Sequence, residues 1–227
     1  ESTPIAPANA SNAGAQLPAT DSTQTEGGVK IEPITGLLFQ AAYFNIERTS
    51  TFVNSNNLYV QDGRARYRGT ELSLTGEVAH DLSIYASALF LDARQISGAP
   101  TVITTSSTGA VTVSPSAVGK VIENTPKTTL SLAGEYRLND WIPGLSVSAG
   151  AFYTGKRAIN ALNQAFIPDY TLYNLGVAYQ TVFYGHETTL RLNAENIFSK
   201  RYSASTGALL LAEGAPSVVK FSISSRF

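Results

Sequence analysis

The sequence contains no cysteine, which removes disulfide bridges, thiolate nucleophiles and thiolate metal sites together. It has only two histidines, His80 and His186. Each falls in a segment that reads as a tight turn, without partners at metal-ligand spacing, so solvated turn residues are expected and no metal site. There is no methionine either, and the chain reads as a mature product or an excised piece. No run approaches the roughly 18–20 apolar residues of a membrane-spanning helix, and no charged start followed by an apolar core marks a signal peptide. Lys+Arg at 16 against Asp+Glu at 17 leave a formal net charge of −1, which gives no general attraction to nucleic acid. Charged residues make up 15% of the chain, against about 25% in ordinary globular proteins. A surface so poor in charge implies that much of the outside does not face water.

What is present is alternation. Residues 1–23, built from Ala, Pro, Ser, Thr and Asn, read as a flexible loop or tail, and residues 24–227 as one continuous segment. Leu82, Ile84, Ala86, Ala88 and Phe90 alternate with Ser83, Tyr85 and Ser87. Leu72, Leu74 and Val78 alternate with Glu71, Ser73 and Glu77, and Leu190, Leu192 and Ala194 with Arg191, Asn193 and Glu195. A period of two gives strands with one apolar and one polar face, whereas a helix would scatter these residues around its whole circumference. About nine strands are predicted, over 27–34, 37–50, 64–79, 82–96, 124–138, 145–157, 169–180, 187–197 and 217–227. The second has an ambiguous phase, because Leu37, Phe39, Ala41 and Tyr43 compete with Phe44 and Ile46, and a bulge there is one solution.

The links alternate in length. Those at 33–36, 80–81, 139–144 and 181–186 are short; those near 51–63, 97–123, 158–168 and 198–216 are long. Tight turns on one side and long loops on the other are the pattern of an outer-membrane barrel. Tyr136, Trp141, Phe183, Tyr184 and Phe227 fall toward the turn side, and Phe90, Tyr153 and Tyr202 toward the loops, as interfacial rings do. A soluble antiparallel sandwich also alternates, but Lys and Arg should then decorate its polar face. Here that face carries mostly Ser, Thr, Asn, Gly and Glu. The run Gly150-Ala151-Phe152-Tyr153-Thr154-Gly155-Lys156 imitates a phosphate loop. Arg157 stands where Ser or Thr should follow, and no helix is predicted after it. With no Gly-x-Ser-x-Gly elbow either, no enzymatic activity is expected.

Several segments resemble a known family. Tyr67-Arg68-Gly69-Thr70-Glu71-Leu72-Ser73-Leu74, then Asn193-Ala194-Glu195-Asn196-Ile197-Phe198 with Lys200-Arg201-Tyr202, then Gly214-Ala215-Pro216 leading to Phe221-Ser222-Ile223-Ser224-Ser225-Arg226-Phe227 resemble the C-terminal barrel of TonB-dependent siderophore receptors in order and spacing. Asn124-Thr125-Pro126-Lys127 and Pro168-Asp169-Tyr170 add to the likeness, which covers approximately residues 24–227. The resemblance implies an all-β, antiparallel, up-and-down transmembrane β-barrel segment, about nine strands of a 22-stranded receptor. The N-terminal plug and the TonB-contacting segment would lie outside this chain, and an open sheet alone should not span a membrane stably.

The function so implied is import of ferric siderophore across the outer membrane of a Gram-negative bacterium. No cofactor is bound directly; the ferric siderophore is the transported ligand. The partners implied are outer-membrane lipid, the plug and remaining strands of the full receptor, the TonB complex and the barrel-assembly machinery, but not nucleic acid. Related barrels carry vitamin B12, haem or glycans, and a passive outer-membrane pore or surface-binding barrel without energy coupling is the alternative. On the residues, Glu71, Glu77, Glu135, Arg191 and Glu195 are expected to line the lumen. Phe52, Tyr59, Arg157 and Tyr202 are candidates for an extracellular ligand site, where rings and cations suit a large anionic chelate. The phase-matched Val219, Phe221, Ile223 and Phe227 resemble the barrel-assembly signal.

Overall fold

Strict alternation leaves each strand with one face that avoids water, and pairing with neighbours of the same phase joins those faces into one surface. In the computed structural model, which describes residues 3–98, 102–105, 111–114, 116–207 and 210–226, this produces one nine-stranded antiparallel sheet and three small hairpins. The main sheet contains β1 (Ser22–Ile34), β2 (Leu37–Val53), β3 (Tyr59–Ala79) and β4 (Leu82–Ser97). The hairpin β5 (Val102–Thr105) and β6 (Val111–Ser114) interrupts it. The sheet resumes with β7 (Thr128–Arg137) and β8 (Leu145–Thr154), and β9 (Arg157–Ala158) with β10 (Phe166–Ile167) form the second small hairpin. Then follow β11 (Tyr170–Phe183) and β12 (His186–Glu195), the third hairpin β13 (Ser203–Gly207) and β14 (Leu210–Glu213), and finally β15 (Val218–Arg226).

Each strand of the main sheet pairs with the next in sequence, so the order is up-and-down, and β1 and β15 are open edges. The short ends are tight. Ile34 pairs with Leu37, Ala79 with Leu82 and Phe183 with His186, each leaving two residues in the turn. Left-handed φ values at Gly36 (82°), Asp81 (61°), Tyr184 (49°) and Gly185 (83°) close these turns. The opposite ends carry the long loops and the three small hairpins.

Several boundaries differ from those the sequence predicts, β7 beginning at Thr128 rather than near Asn124, and the largest shifts fall at β1 and at the β2–β3 loop. β1 begins at Ser22 rather than near Gly27, because its polar start finds a ready partner in β2, with Ser22 opposite Arg48. The β2–β3 loop shrinks to residues 54–58, because pairing resumes beyond a bulge with Phe52 opposite Val60 and Val53 opposite Tyr59. The bulge therefore lies between Ser50 and Phe52, and the ambiguous part of β2 runs straight. Phe39, Ala41 and Tyr43 share a face with Leu74, Leu72 and Thr70, while Phe44 and Ile46 turn to the other face opposite Gly69 and Tyr67. Glycine at 69 is required there: a Cβ would stand 3.0 Å from the Phe44 ring and 2.4 Å from the Phe90 carbonyl oxygen.

Residues 3–21 form a compact loop closed by an Ile5–Gln16 bridge, with Ala6 and Ala10 buried. It is pinned to the β2–β3 hairpin. The Asn12 amide donates to the Tyr59 carbonyl (3.0 Å) and accepts from the Tyr59 N–H (2.9 Å), and Ser11 N–H donates to the Asn57 carbonyl (2.7 Å).

No large side chain is fully buried among the described residues. Leu132 is 56% exposed, Leu175 51% and Phe221 63%, and no second layer covers them among the described residues. Register explains why. Leu82, Tyr136, Val147, Val177, Leu192 and Phe221 stand directly opposite one another in one unbroken apolar row. Ile31, Phe39, Leu74, Ala86, Leu132, Ala151 and Tyr173 form a second. A water-soluble monomer rarely shows an apolar patch of such width, so this is not the packed interior of a sandwich.

Candidate functional site

The opposite face is polar by the same register. Glu77, Ser83, Glu135, Ser148, Gly176, Asn193 and Lys220 form one row across seven strands. Glu71 lies on this face with Ala42 and Leu89 as cross-strand neighbours, and Arg191 lies on it between Ala178 and Ser222. All five predicted lumen residues thus share one side of the sheet. An open pocket of about 480 Å³ on this side includes Thr75, Ser83, Glu135, Ser148, Asn193 and Glu195 in its lining.

The charges on this face are partly tied down. Lys220 Nζ meets Glu195 Oε1 at 2.6 Å. At the tight-turn rim, Arg137 bonds Glu77, and its Nε lies 3.3 Å from Asp81 Oδ1, which also accepts from the Asn139 amide at 3.1 Å. His80 Nε2 stands 3.1 Å from the other Asp81 oxygen. His80 therefore belongs to a network joining the β3–β4 and β7–β8 turns.

The four loop candidates fall into two groups. Tyr59 Oη shares a hydrogen bond with Thr51 Oγ1 (2.6 Å), and Phe52 stands beside Gly98, where a Cβ would come within 2.6 Å of the ring. Arg157 and Tyr202 meet elsewhere, around Tyr170. The Tyr170 and Tyr202 rings are 4.3 Å apart, and the Arg157 guanidinium carbon is 5.7 Å from the Tyr170 centroid. No hydrogen bond or ring contact joins the two groups among the described residues. Arg157 is only 4% exposed. Its Nη1 donates to Asn124 Oδ1 (3.2 Å) and the Ala204 carbonyl, and its Nη2 to the Ser203 carbonyl.

The guanidinium thus binds three long connections together. Asn124, at φ 55°, reinforces the joint: its N–H donates to the Ala158 carbonyl (3.0 Å), and its Oδ1 also accepts from Thr206 N–H (3.2 Å). Beside it, an open pocket of about 500 Å³ is lined by Asp169, Tyr170, Lys200, Arg201, Tyr202 and Glu213 among others.

A second asparagine of this kind is Asn196, buried at φ 49°. Its side chain donates to the Lys200 (2.9 Å) and Ala215 (3.1 Å) carbonyls and accepts from Lys200 N–H (2.8 Å). It fixes the exit from β12. Neither asparagine stands out by composition; the available signal is that Asn tolerates left-handed backbone where loops change direction. The phosphate-loop imitation runs along β8 into β9, with no helix start to supply backbone donors. Among the described residues no His/Cys/Asp/Glu cluster could hold a metal ion.

A nine-stranded up-and-down sheet with one apolar and one polar face, tight turns at one end and knotted loops at the other, is what one sector of an outer-membrane barrel requires. The family model for the TonB dependent receptor-like β-barrel matches residues 2–197. The chain belongs to the TonB-dependent receptor family.

Among its relatives is an uncharacterized TonB-dependent receptor of Haemophilus influenzae, 28% identical over 199 residues, which covers 84% of this chain and 54% of that protein. The ferrichrome receptor FcuA of Yersinia enterocolitica is 29% identical over 222 residues, covering 95% of this chain and 27% of the receptor. The crystal structure of BauA, the ferric preacinetobactin receptor of Acinetobacter baumannii, superposes with a TM-score of 0.78 at 28% identity, over 98% of this chain and 32% of that one. The chain therefore spans about half or less of the length of these TonB-dependent receptors.

Proposed function

We propose that this chain is the C-terminal sector of the barrel of an outer-membrane receptor that imports a ferric siderophore with energy from TonB. The observation that carries this reading is the sorting of side chains by face across the nine strands, in a chain of this family. The apolar rows then meet lipid, and Glu71, Glu77, Glu135, Arg191 and Glu195 line the water-filled interior and meet the plug. Facing lipid near the midplane, each such charge would cost up to roughly 2–4 kcal/mol. The open edges β1 and β15 need partners, because unpaired strand groups cannot be satisfied in hydrocarbon; the remaining strands of a complete receptor supply them.

The cargo assignment is supported by relatives described as receptors for ferrichrome and ferric preacinetobactin. In this reading Tyr202 and its neighbour Tyr170, with Lys200 and Arg201, offer rings and cations to an anionic chelate at the loop end. Phe52 and Tyr59 contribute from the β2–β3 hairpin. Arg157 serves as a positioning group, since its two Nη groups are engaged by Asn124 Oδ1 and the Ser203 and Ala204 carbonyls. Val219, Phe221 and Ile223 on β15 act as the assembly signal; Phe227, the fourth residue of that signal, lies outside the described residues.

The test is uptake of iron-55-labelled ferric chelates by cells producing the full-length receptor, with and without a functional TonB complex. TonB-dependent accumulation of one chelate is expected. Salt-type conductance in a planar bilayer without TonB-dependent uptake would instead establish a passive pore.

A further inference from the structure

The lipid-facing side changes character abruptly at the loop end of β2, β3 and β4. Its last ring-bearing row is Tyr43, Thr70 and Phe90, which stand directly opposite one another. From Leu82 to Phe90 the apolar run of β4 rises about 20 Å along the membrane normal, taking ~3.3 Å per residue and a tilt near 40°. That nearly fills the ~25 Å apolar band of such barrels. The next two rows on the same side are Asn45–Arg68–Asp92 and Glu47–Arg66–Arg94, with no bulge in between. They stand where lipid headgroups begin.

These rows hold three arginines against two acids, leaving one positive charge in excess. Asp92 is shared: Arg94 Nε approaches it at 2.6 Å and Arg68 Nη2 at 3.2 Å. Arg66 stands between Glu47 and Arg94 on the neighbouring strands and makes no ion pair within 4 Å among the described residues, while Arg94 also donates from Nη1 to the Gly119 carbonyl at 2.9 Å. Like charges directly opposed across a strand pair destabilise it. An anion between them would reverse that sign, and guanidinium groups match phosphate oxygens with paired donors.

We propose that Arg66 and Arg94, supported by Arg68 and Asp92, form a binding site for the phosphate-bearing headgroup of an outer-leaflet lipid, whose acyl chains lie against the apolar rows beneath Tyr43 and Phe90. The site rests on the membrane reading above. Continuity with the apolar band selects a lipid over a free anion, because one molecule then satisfies the arginines and covers the rows below them.

The test uses the full-length receptor, purified from outer membranes in non-ionic detergent, with lipid A, an acylated and phosphorylated sugar lipid, as probe. Retained lipid is counted by native mass spectrometry. R66Q/R94Q should bind roughly tenfold less lipid A than wild type, R66Q alone about fivefold less, and R66K/R94K an amount between the double Gln variant and wild type, because an ammonium keeps the charge without the paired donors. R66Q removes the one cation of the three that has no ion pair, so it keeps the test open if the double variant fails to fold, which heat-modifiable gel mobility reports. Unchanged binding by R66Q overturns the site. So does competition by inorganic phosphate at equal concentration, or equal binding of dephosphorylated lipid A. Wild-type receptor absent from the outer-membrane fraction would overturn the membrane reading itself, whereas membrane-inserted receptor with variant-independent lipid binding overturns the headgroup site alone.

Discussion

The guanidinium of Arg157 lies over the ring of Tyr170, 5.7 Å from its centroid, while its donors reach Asn124, Ser203 and Ala204 in two other loops. One side chain therefore joins connections that the chain itself separates by more than thirty residues on either side. Arg157→Ala should lower the stability of the full-length receptor by about 2–4 kcal/mol, since several part-buried hydrogen bonds from a charged group are lost and their acceptors lose a donor. Arg157→Lys should recover only a part, because an ammonium lacks the planar fork. Thermal unfolding in detergent, with limited proteolysis at residues 158–169 and 196–217, measures both effects; unchanged proteolysis would show that the knot does not order the loops.

Face assignment makes a sharper prediction at two consecutive residues of β7. Leu132 sits mid-row on the apolar side, opposite Ala86 and Ala151, and Ser131 on the polar side, opposite Ser87 and Phe152. Leu132→Arg should cost roughly 2–4 kcal/mol in folding into vesicles, and Ser131→Arg under about 1 kcal/mol. Equal effects at the two positions would contradict the membrane reading.

Strand phase was legible because period two is written locally: Leu82, Ile84, Ala86 and Ala88 declare their face with no knowledge of any neighbour. The turns were legible for the same reason, each needing only residues next to it in sequence. Phe44 was not. Its face is decided by a socket over Gly69 on the adjacent strand, a relation between distant positions. The site was legible in part. Shared phase collected Glu71, Glu77, Glu135, Arg191 and Glu195, but spacing along the chain could not show that Arg157 would be enclosed by loops folding back from residues 124 and 203–206, nor that Phe52 and Tyr59 would stand apart from Tyr202. Loop contacts depend on chain reversals that no local pattern records.

Gly76 marks a point where the sheet tolerates no side chain. It adopts φ 139°, and a Cβ there would stand 1.9 Å from the Gly36 carbonyl oxygen. Gly76→Ala should destabilise the receptor by at least about 2 kcal/mol, from backbone strain together with displacement of the β1–β2 turn. Gly27→Ala, on β1 with no atom within 4 Å of the added carbon, is the matched control and should change stability by under about 0.5 kcal/mol. Denaturant titration of the two variants side by side reads the difference.

The terminal strand separates an assembly role from an electrostatic one at neighbouring residues. Lys220 points to the polar side, and its bond to Glu195 joins side chains 57% and 43% exposed. An ion pair so open to solvent contributes about 0–1 kcal/mol, so Lys220→Ala should leave folding nearly unchanged. Phe221 points the other way, in the apolar row with Leu192. Phe221→Ala removes an aromatic side chain whose transfer from water to lipid is worth about 1.5–3 kcal/mol, and in the proposed role it also weakens recognition by the assembly machinery. The amount of heat-modifiable receptor in outer-membrane fractions should therefore fall for Phe221→Ala and hold for Lys220→Ala. If Phe221→Ala is destabilised in vitro but assembles in cells at the wild-type level, the side chain contributes to lipid contact and not to the signal.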